Sequence, residues 1–193
     1  MKEQLDRILE KWNLLKHPFY QAWSAGALPV EALKVYAQEY GTFIETLPKG
    51  WLTLHDEETA QEENEHAAMW RDFAEGLNTF SGVPEITETV NLMKTTEKLF
   101  ADPVTALGAL YAFEAQQPKT ARSKLQGLRA WYNVGEKAEK YFEVHSANWH
   151  ESEKLLRHIS ALPQEDQAKV LEACTQMSEA LWNGLTGVQS ETC

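Results

Sequence analysis

The stretch TALGALYAFEAQQP, residues 105–118, decides the fold. Leu107, Leu110, Tyr111 and Phe113 make it apolar on nearly every side, and its one carboxylate, Glu114, sits inside that run. A helix that is apolar all round is buried, and this one is too short to span a bilayer. A carboxylate in such a place is costly unless it is paired or holds a metal; an arginine elsewhere in the core is the plain structural alternative. Working outward, apolar residues recur at helical spacing in nearly every segment, as in Leu5, Ile8, Leu9, Trp12 and Leu15, and no segment sustains strand-like alternation. The chain is expected to be all-α.

Breakers divide it: HPF at 17–19, SAGALP ending at Pro29, Gly76 with SGVP, Asp102-Pro103, Gln117-Pro118, NVG at 133–135 and Leu162-Pro163. Pro29, Pro84, Pro103 and Pro163 stand where first helical positions are expected. The spacing predicts seven to eight helices: 3–16, a short 19–24, 30–53, 56–76, 84–100, 103–131 kinked at Pro118, 136–160 and 163–185. No repeat or low-complexity linker separates them, so residues 1–185 read as one helical domain and 186–193 as a frayed C-terminal tail.

With 18 Lys+Arg against 29 Asp+Glu, a net charge of -11 repels nucleic-acid phosphates and anionic lipid heads. No nucleic-acid or membrane partner is expected. Two cysteines, Cys174 and Cys193, make no disulfide framework, and the N-terminus lacks the apolar run of a signal peptide, so the cytoplasm is the expected compartment. There is no Gly-rich phosphate loop, Gly-x-Ser-x-Gly elbow or Cys-x-x-Cys pair.

Four constellations could carry chemistry. In AQEENEHAAMW, Glu62 and Glu63 lie four and three residues before His66, both on its helical face, and Glu-x-x-His is the unit of bundle-core metal sites. Read alone, the segment is also an ordinary acidic surface with one histidine. Glu114 is the second. The third is YFEVHSANWHESEKLL, where His145 and His150 are five apart, roughly 140° around a helix axis, so a regular helix aims only one at an interior ion. His145, beside Phe142 and Trp149, is the better interior residue. The fourth is KHPFYQAW, where His17 reads as ordering a helix junction or, less well, as a haem ligand.

The blocks HPFYQAWSAGALPVEALKVYAQEYGTFIETLPK, HAAMWRDFAEGL, ALGALYAFEAQQPKTARSKLQGL and YFEVH together resemble the CADD-like branch of the TenA/PqqC superfamily, over most of residues 1–185. The resemblance implies a haem-oxygenase-like bundle and a non-haem iron-dependent oxidase. One activity of that branch is the making of p-aminobenzoate from a tyrosine of the protein itself. It places metal ligands at Glu62 or Glu63, His66, Glu114 and His145, a sacrificial tyrosine at Tyr20 and a lysine amino donor at Lys124. The family's last ligand helix continues with an acid four residues on and a histidine three beyond; here those positions are Trp149 and Ser152. An incomplete second metal site is therefore expected, with Trp149 filling its space unless a bulge turns His150 or Glu151 inward.

The leading expectation is one iron, or a weak pair, with manganese as the alternative ion. Its substrate is a small molecule or the protein's own side chain, with Tyr20, Tyr36 or Tyr111 as the oxidised group. A cofactor-free TenA/PqqC-like enzyme of thiamine or quinone metabolism, with Glu114 as acid/base, and a metal-free binding protein on the same fold are the alternatives. A homodimer is the superfamily-level expectation.

Overall fold

The computed structural model describes residues 1–192, and among these it contains ten α-helices and no strand. They are α1 (Lys2–Lys11), α2 (Pro18–Ser24), α3 (Val30–Thr53), α4 (Glu57–Gly76), α5 (Thr87–Leu99), α6 (Pro103–Glu114), α7 (Gln117–Gly127), α8 (Glu136–Ala147), α9 (His150–Ala161) and α10 (Gln164–Thr192). No helix among them is long and apolar enough to cross a membrane.

α10 packs along α6 and α5, α3 along α4, and α8 along α4 and α7, while α9 closes over α6. Every face of α6 is therefore covered, which is the burial its apolar sequence demands; residues 106–114 are all buried. An aromatic cluster of Trp23, Tyr36, Trp70, Phe73, Tyr141 and Phe142 fills the space between α2, α3, α4 and α8.

The helix count exceeds the expected seven to eight because two predicted helices are each divided. Pro118 has no N–H and its ring collides with the carbonyl four residues back, that of Glu114, and α6 ends at that residue. Gln116 bridges the break, accepting the Leu14 N–H and donating to the Ala112 carbonyl. The predicted helix 136–160 is divided at Asn148, which is extended (φ -90°, ψ 112°). α5 begins at Thr87, later than expected from Pro84, because the Glu39 carboxylate accepts the N–H groups of Glu85 and Ile86 and the Thr89 hydroxyl at that end. At the C-terminus residues 186–192, expected as a tail, continue α10, with Gly187 and Val188 buried; Cys193 lies outside the described residues.

Candidate metal centre

α4 packs against α3 and α8, so its inward stripe is Thr59, Ala60, Glu63, His66, Ala67 and Trp70. Glu63 and His66 are one turn apart on that stripe, and His66 Nδ1 lies 3.1 Å from Glu63 Oε1. An ionised carboxylate can only accept, so Nδ1 donates and Nε2 keeps its lone pair. Burial pulls the His66 pKa down, but the hydrogen bond and charge of Glu63 outweigh it and hold the imidazole above its ordinary value.

His145 comes from α8, its ring centroid 4.3 Å from that of His66. Its Nδ1 is 2.7 Å from the Tyr141 carbonyl, an acceptor, which again leaves Nε2 as the free donor atom. Burial, then the neighbouring His66, lower its pKa to about 3, so the ring is neutral at ordinary pH. One donor atom from each of Glu63, His66 and His145 lies within 4.8 Å of the others, and all three residues are buried.

Glu114 enters from α6, and burial, then Glu63 and Glu151, push its carboxyl well above the usual carboxylate range. The arginine alternative fails: Arg71 pairs with Glu45 and Arg129 with Glu139 and Glu143, Arg122 and Arg7 hydrogen-bond main-chain carbonyls, and Arg157 is exposed. Glu63 Oε2 and Glu114 Oε1 are buried with no hydrogen-bond partner. Glu63 stands with the two imidazole lone pairs, and Glu114 is outside that group but within electrostatic reach of Glu63; two orphaned carboxylate oxygens so placed are a costly arrangement that a bound cation would relieve, and carboxylate with imidazole suits iron, manganese or zinc.

Glu62, the other member of the adjacent pair, turns outward, with Oε2 3.5 Å from His150 Nε2. Glu151, expected inside only if a bulge turned it inward, is buried; burial and then Glu63 raise its pKa. The signal was available, since Asn148-x-x-Glu151 has the spacing of a helix start, which divides the helix and re-aims the acid. Trp149 does not fill an inner space: it is 39% exposed and lines an outer groove with Leu9 and Tyr111. Ser152 is spent on the Trp149 carbonyl.

Beside the cluster lies a second group. Lys124 on α7 is buried, its Nζ 3.5 Å from the Tyr20 hydroxyl and 3.3 Å from that of Tyr36, and the two phenols are 2.9 Å apart. An unbroken helix would carry Lys124 about 15 Å along the axis from Glu114; the break between α6 and α7 lies between the two residues. Burial lowers the amine's pKa to about 7 and raises that of Tyr20. Tyr141 and Phe142 separate the two groups: the Tyr141 ring is 4.1 Å from that of His145, and the Lys124 amine lies 5.2 Å over the ring of Phe142. Tyr111 lies apart, and His17 orders a helix junction, its two ring nitrogens engaged by the Phe19 N–H and the Thr186 hydroxyl.

Comparison with known proteins adds four findings. The family model described as iron-containing redox enzyme matches residues 49–182. A 4-aminobenzoate synthase from Nitrosomonas europaea is 30% identical, with all of this chain and 92% of the relative covered. Among solved structures, a domain with a heme oxygenase-like fold from Shewanella denitrificans superposes with TM-score 0.78 at 18% identity, covering 96% of this chain and 90% of that one. A CADD-like protein from Nostoc punctiforme gives TM-score 0.69 at 18% identity, covering 98% and 99%. The bundle is thus of the haem-oxygenase-like kind.

Proposed function

The chain belongs to the family of iron-containing redox enzymes, and we propose that it is a non-haem iron oxidase that makes 4-aminobenzoate from its own Tyr20. The observation that carries this reading is the buried group of Glu63, His66 and His145, in which Glu63 keeps an unpartnered oxygen, with the equally unpartnered Glu114 within electrostatic reach of Glu63. These four residues would hold the ion, with iron the expected metal and manganese the alternative. Iron there supplies dioxygen-dependent redox chemistry.

The surrounding residues prepare the reaction. Glu63 fixes the His66 tautomer and the Tyr141 carbonyl fixes that of His145, so both rings present a lone pair without rearrangement. Tyr20 already has the carbon frame of the product, a six-membered ring with a carbon at one end and a heteroatom opposite. Its Cα–Cβ bond breaks, leaving a glycyl carbon in the chain, and Cβ becomes the carboxyl carbon with oxygen from dioxygen. The phenol oxygen leaves as water and is replaced by the nitrogen of Lys124, whose Cε–Nζ bond breaks to leave an aldehyde at Cε. Two molecules of dioxygen as oxidant and two electrons and two protons from an external thiol-class reductant balance the conversion, with two molecules of water formed in all. An amine with pKa about 7 is about half unprotonated near neutral pH, its free base is nucleophilic, and it lies against the Tyr20 hydroxyl.

Glu114→Gln tests the metal site. The substitution removes a carboxylate from a crowd of carboxylates, so the metal-free protein should be at least as stable as wild type while iron binding is lost. Thermal unfolding with and without ferrous iron reads both. A variant that iron stabilises as fully as wild type defeats the assignment.

A further inference from the structure

The loss of the Tyr20 side chain leaves a space behind it. Tyr20 is buried, and its ring stands among those of Phe19, Trp23 and Tyr36, with ring centroids 6.2, 6.4 and 6.1 Å away. With only a glycyl carbon left at position 20, a hole the size of the departed ring opens inside this aromatic wall. Such a hole persists only if its walls are held. Trp23 is fixed from two sides: its Nε1 donates to the Lys124 carbonyl at 3.2 Å, and a Cβ added at Gly127 would stand 2.7 Å from its ring. An apolar hole between well-packed rings stays dry and takes an apolar guest of its own size.

One wall is polar. The Tyr36 hydroxyl lies 2.9 Å from the Tyr20 hydroxyl and 3.3 Å from the Lys124 amine. Turnover removes both, since one departs with the phenol oxygen and the other with the nitrogen. The aldehyde left at Lys124 has no proton to donate, so the Tyr36 oxygen is left with lone pairs unmet. A guest with a phenol O–H or an aniline N–H opposite Tyr36 satisfies them.

Charge meets a different reception. The Lys124 amine, 4.9 Å over the Tyr20 ring, is the cation of this space, and it is consumed. Phe19 and Trp23 offer no charge, burial keeps Tyr36 a neutral phenol, and the His17 ring already caps the start of α2 by accepting the Phe19 N–H. A carboxylate buried there has nothing to pair with, which is far costlier than burying a neutral ring of the same size.

We propose that in the spent chain the place of the Tyr20 ring is a binding site for neutral para-substituted phenols and anilines of the size of p-cresol, and that this site expels the 4-aminobenzoate anion. The proposal rests on the self-consuming reading above and accounts for product release, because the carboxylate formed at Cβ is itself the group that the walls reject.

The test uses metal-free Tyr20→Gly/Lys124→Met, which copies the spent chain with a side chain of similar length and no amine at position 124. Calorimetric titration with p-cresol, toluene and 4-aminobenzoate near neutral pH, and thermal unfolding with each, read the site. p-Cresol should bind at least about 100-fold more tightly than 4-aminobenzoate. It should bind several-fold more tightly than toluene, an advantage that adding Tyr36→Phe removes. Wild type, with its own ring in place, should bind none of them. If the double variant does not fold, Tyr20→Ala keeps a helix-favouring residue there, and p-cresol should raise its unfolding temperature but not that of wild type. Equal affinity for p-cresol and 4-aminobenzoate overturns the proposal, as does p-cresol binding equally to wild type. So does a Tyr20→Ala that p-cresol fails to stabilise. No iron enters these measurements, so the site can fail while the oxidase reading stands; that reading is decided by the isotopic fate of Tyr20.

Discussion

Lys124 is buried against two phenols and three aromatic faces, with no carboxylate to hold its charge. Burial lowers its pKa to about 7 in the folded protein, whereas in the unfolded chain it titrates near 10.4. Below about pH 7 both states are protonated, and the folded one carries a buried ammonium. Between about pH 7 and 10 the unfolded chain keeps a proton that the folded protein has released, so this group makes stability rise with pH. Lys124→Met removes the effect: between about pH 7.5 and 9.5 the denaturant midpoint of wild type should gain on that of the variant. Parallel curves would contradict a neutral buried amine. Sequence alone left one choice open at this scale. Glu62 and Glu63 both share a helical face with His66, and only the rotation of α4 against α3 and α8 separates the inward from the outward carboxylate.

Among the elements, α6 was the most legible, since its unbroken apolar run dictates burial on all sides. Its contact with α10 is close: a Cβ added at Gly108 would sit 2.3 Å from the Val170 carbonyl oxygen and 3.0 Å from the Ala173 Cβ. Main-chain atoms of a long helix cannot step aside, so Gly108→Ala should cost about 1–3 kcal/mol by overpacking. Chemical denaturation measures that loss, and an unchanged midpoint would mean that α6 and α10 are less tightly apposed than described. The breaks were less legible. Pro118 announced a kink, which the structure resolves as a full stop after Glu114. The stop at Asn148 was hidden, because Phe142, His145, Trp149 and Ser152 continue a plausible helical face across it. That face made Trp149 look like an interior residue and left the inward turn of Glu151 as the alternative.

Across the whole molecule, periodicity and breakers sufficed for an all-helical bundle, because nearly every segment repeats the same inward stripe. The candidate centre was legible in its residue types, Glu-x-x-His, a lone carboxylate in an apolar helix, and a histidine beside aromatics. How α4, α6 and α8 converge is a property of packing that no single segment carries. The same convergence sets Tyr20 and Lys124 behind Tyr141 and Phe142, a short step from His145. If the bundle exists to hold an oxidising centre next to its own consumable side chains, the product must carry the ring of Tyr20. The decisive measurement is isotopic: protein grown with ring-labelled tyrosine, then incubated in unlabelled medium with ferrous iron, dioxygen and a thiol reductant, with 4-aminobenzoate analysed by mass spectrometry. Labelled 4-aminobenzoate from wild type and none from Tyr20→Phe is the predicted result. Unlabelled product, or labelled product undiminished in Tyr20→Phe, would contradict the account.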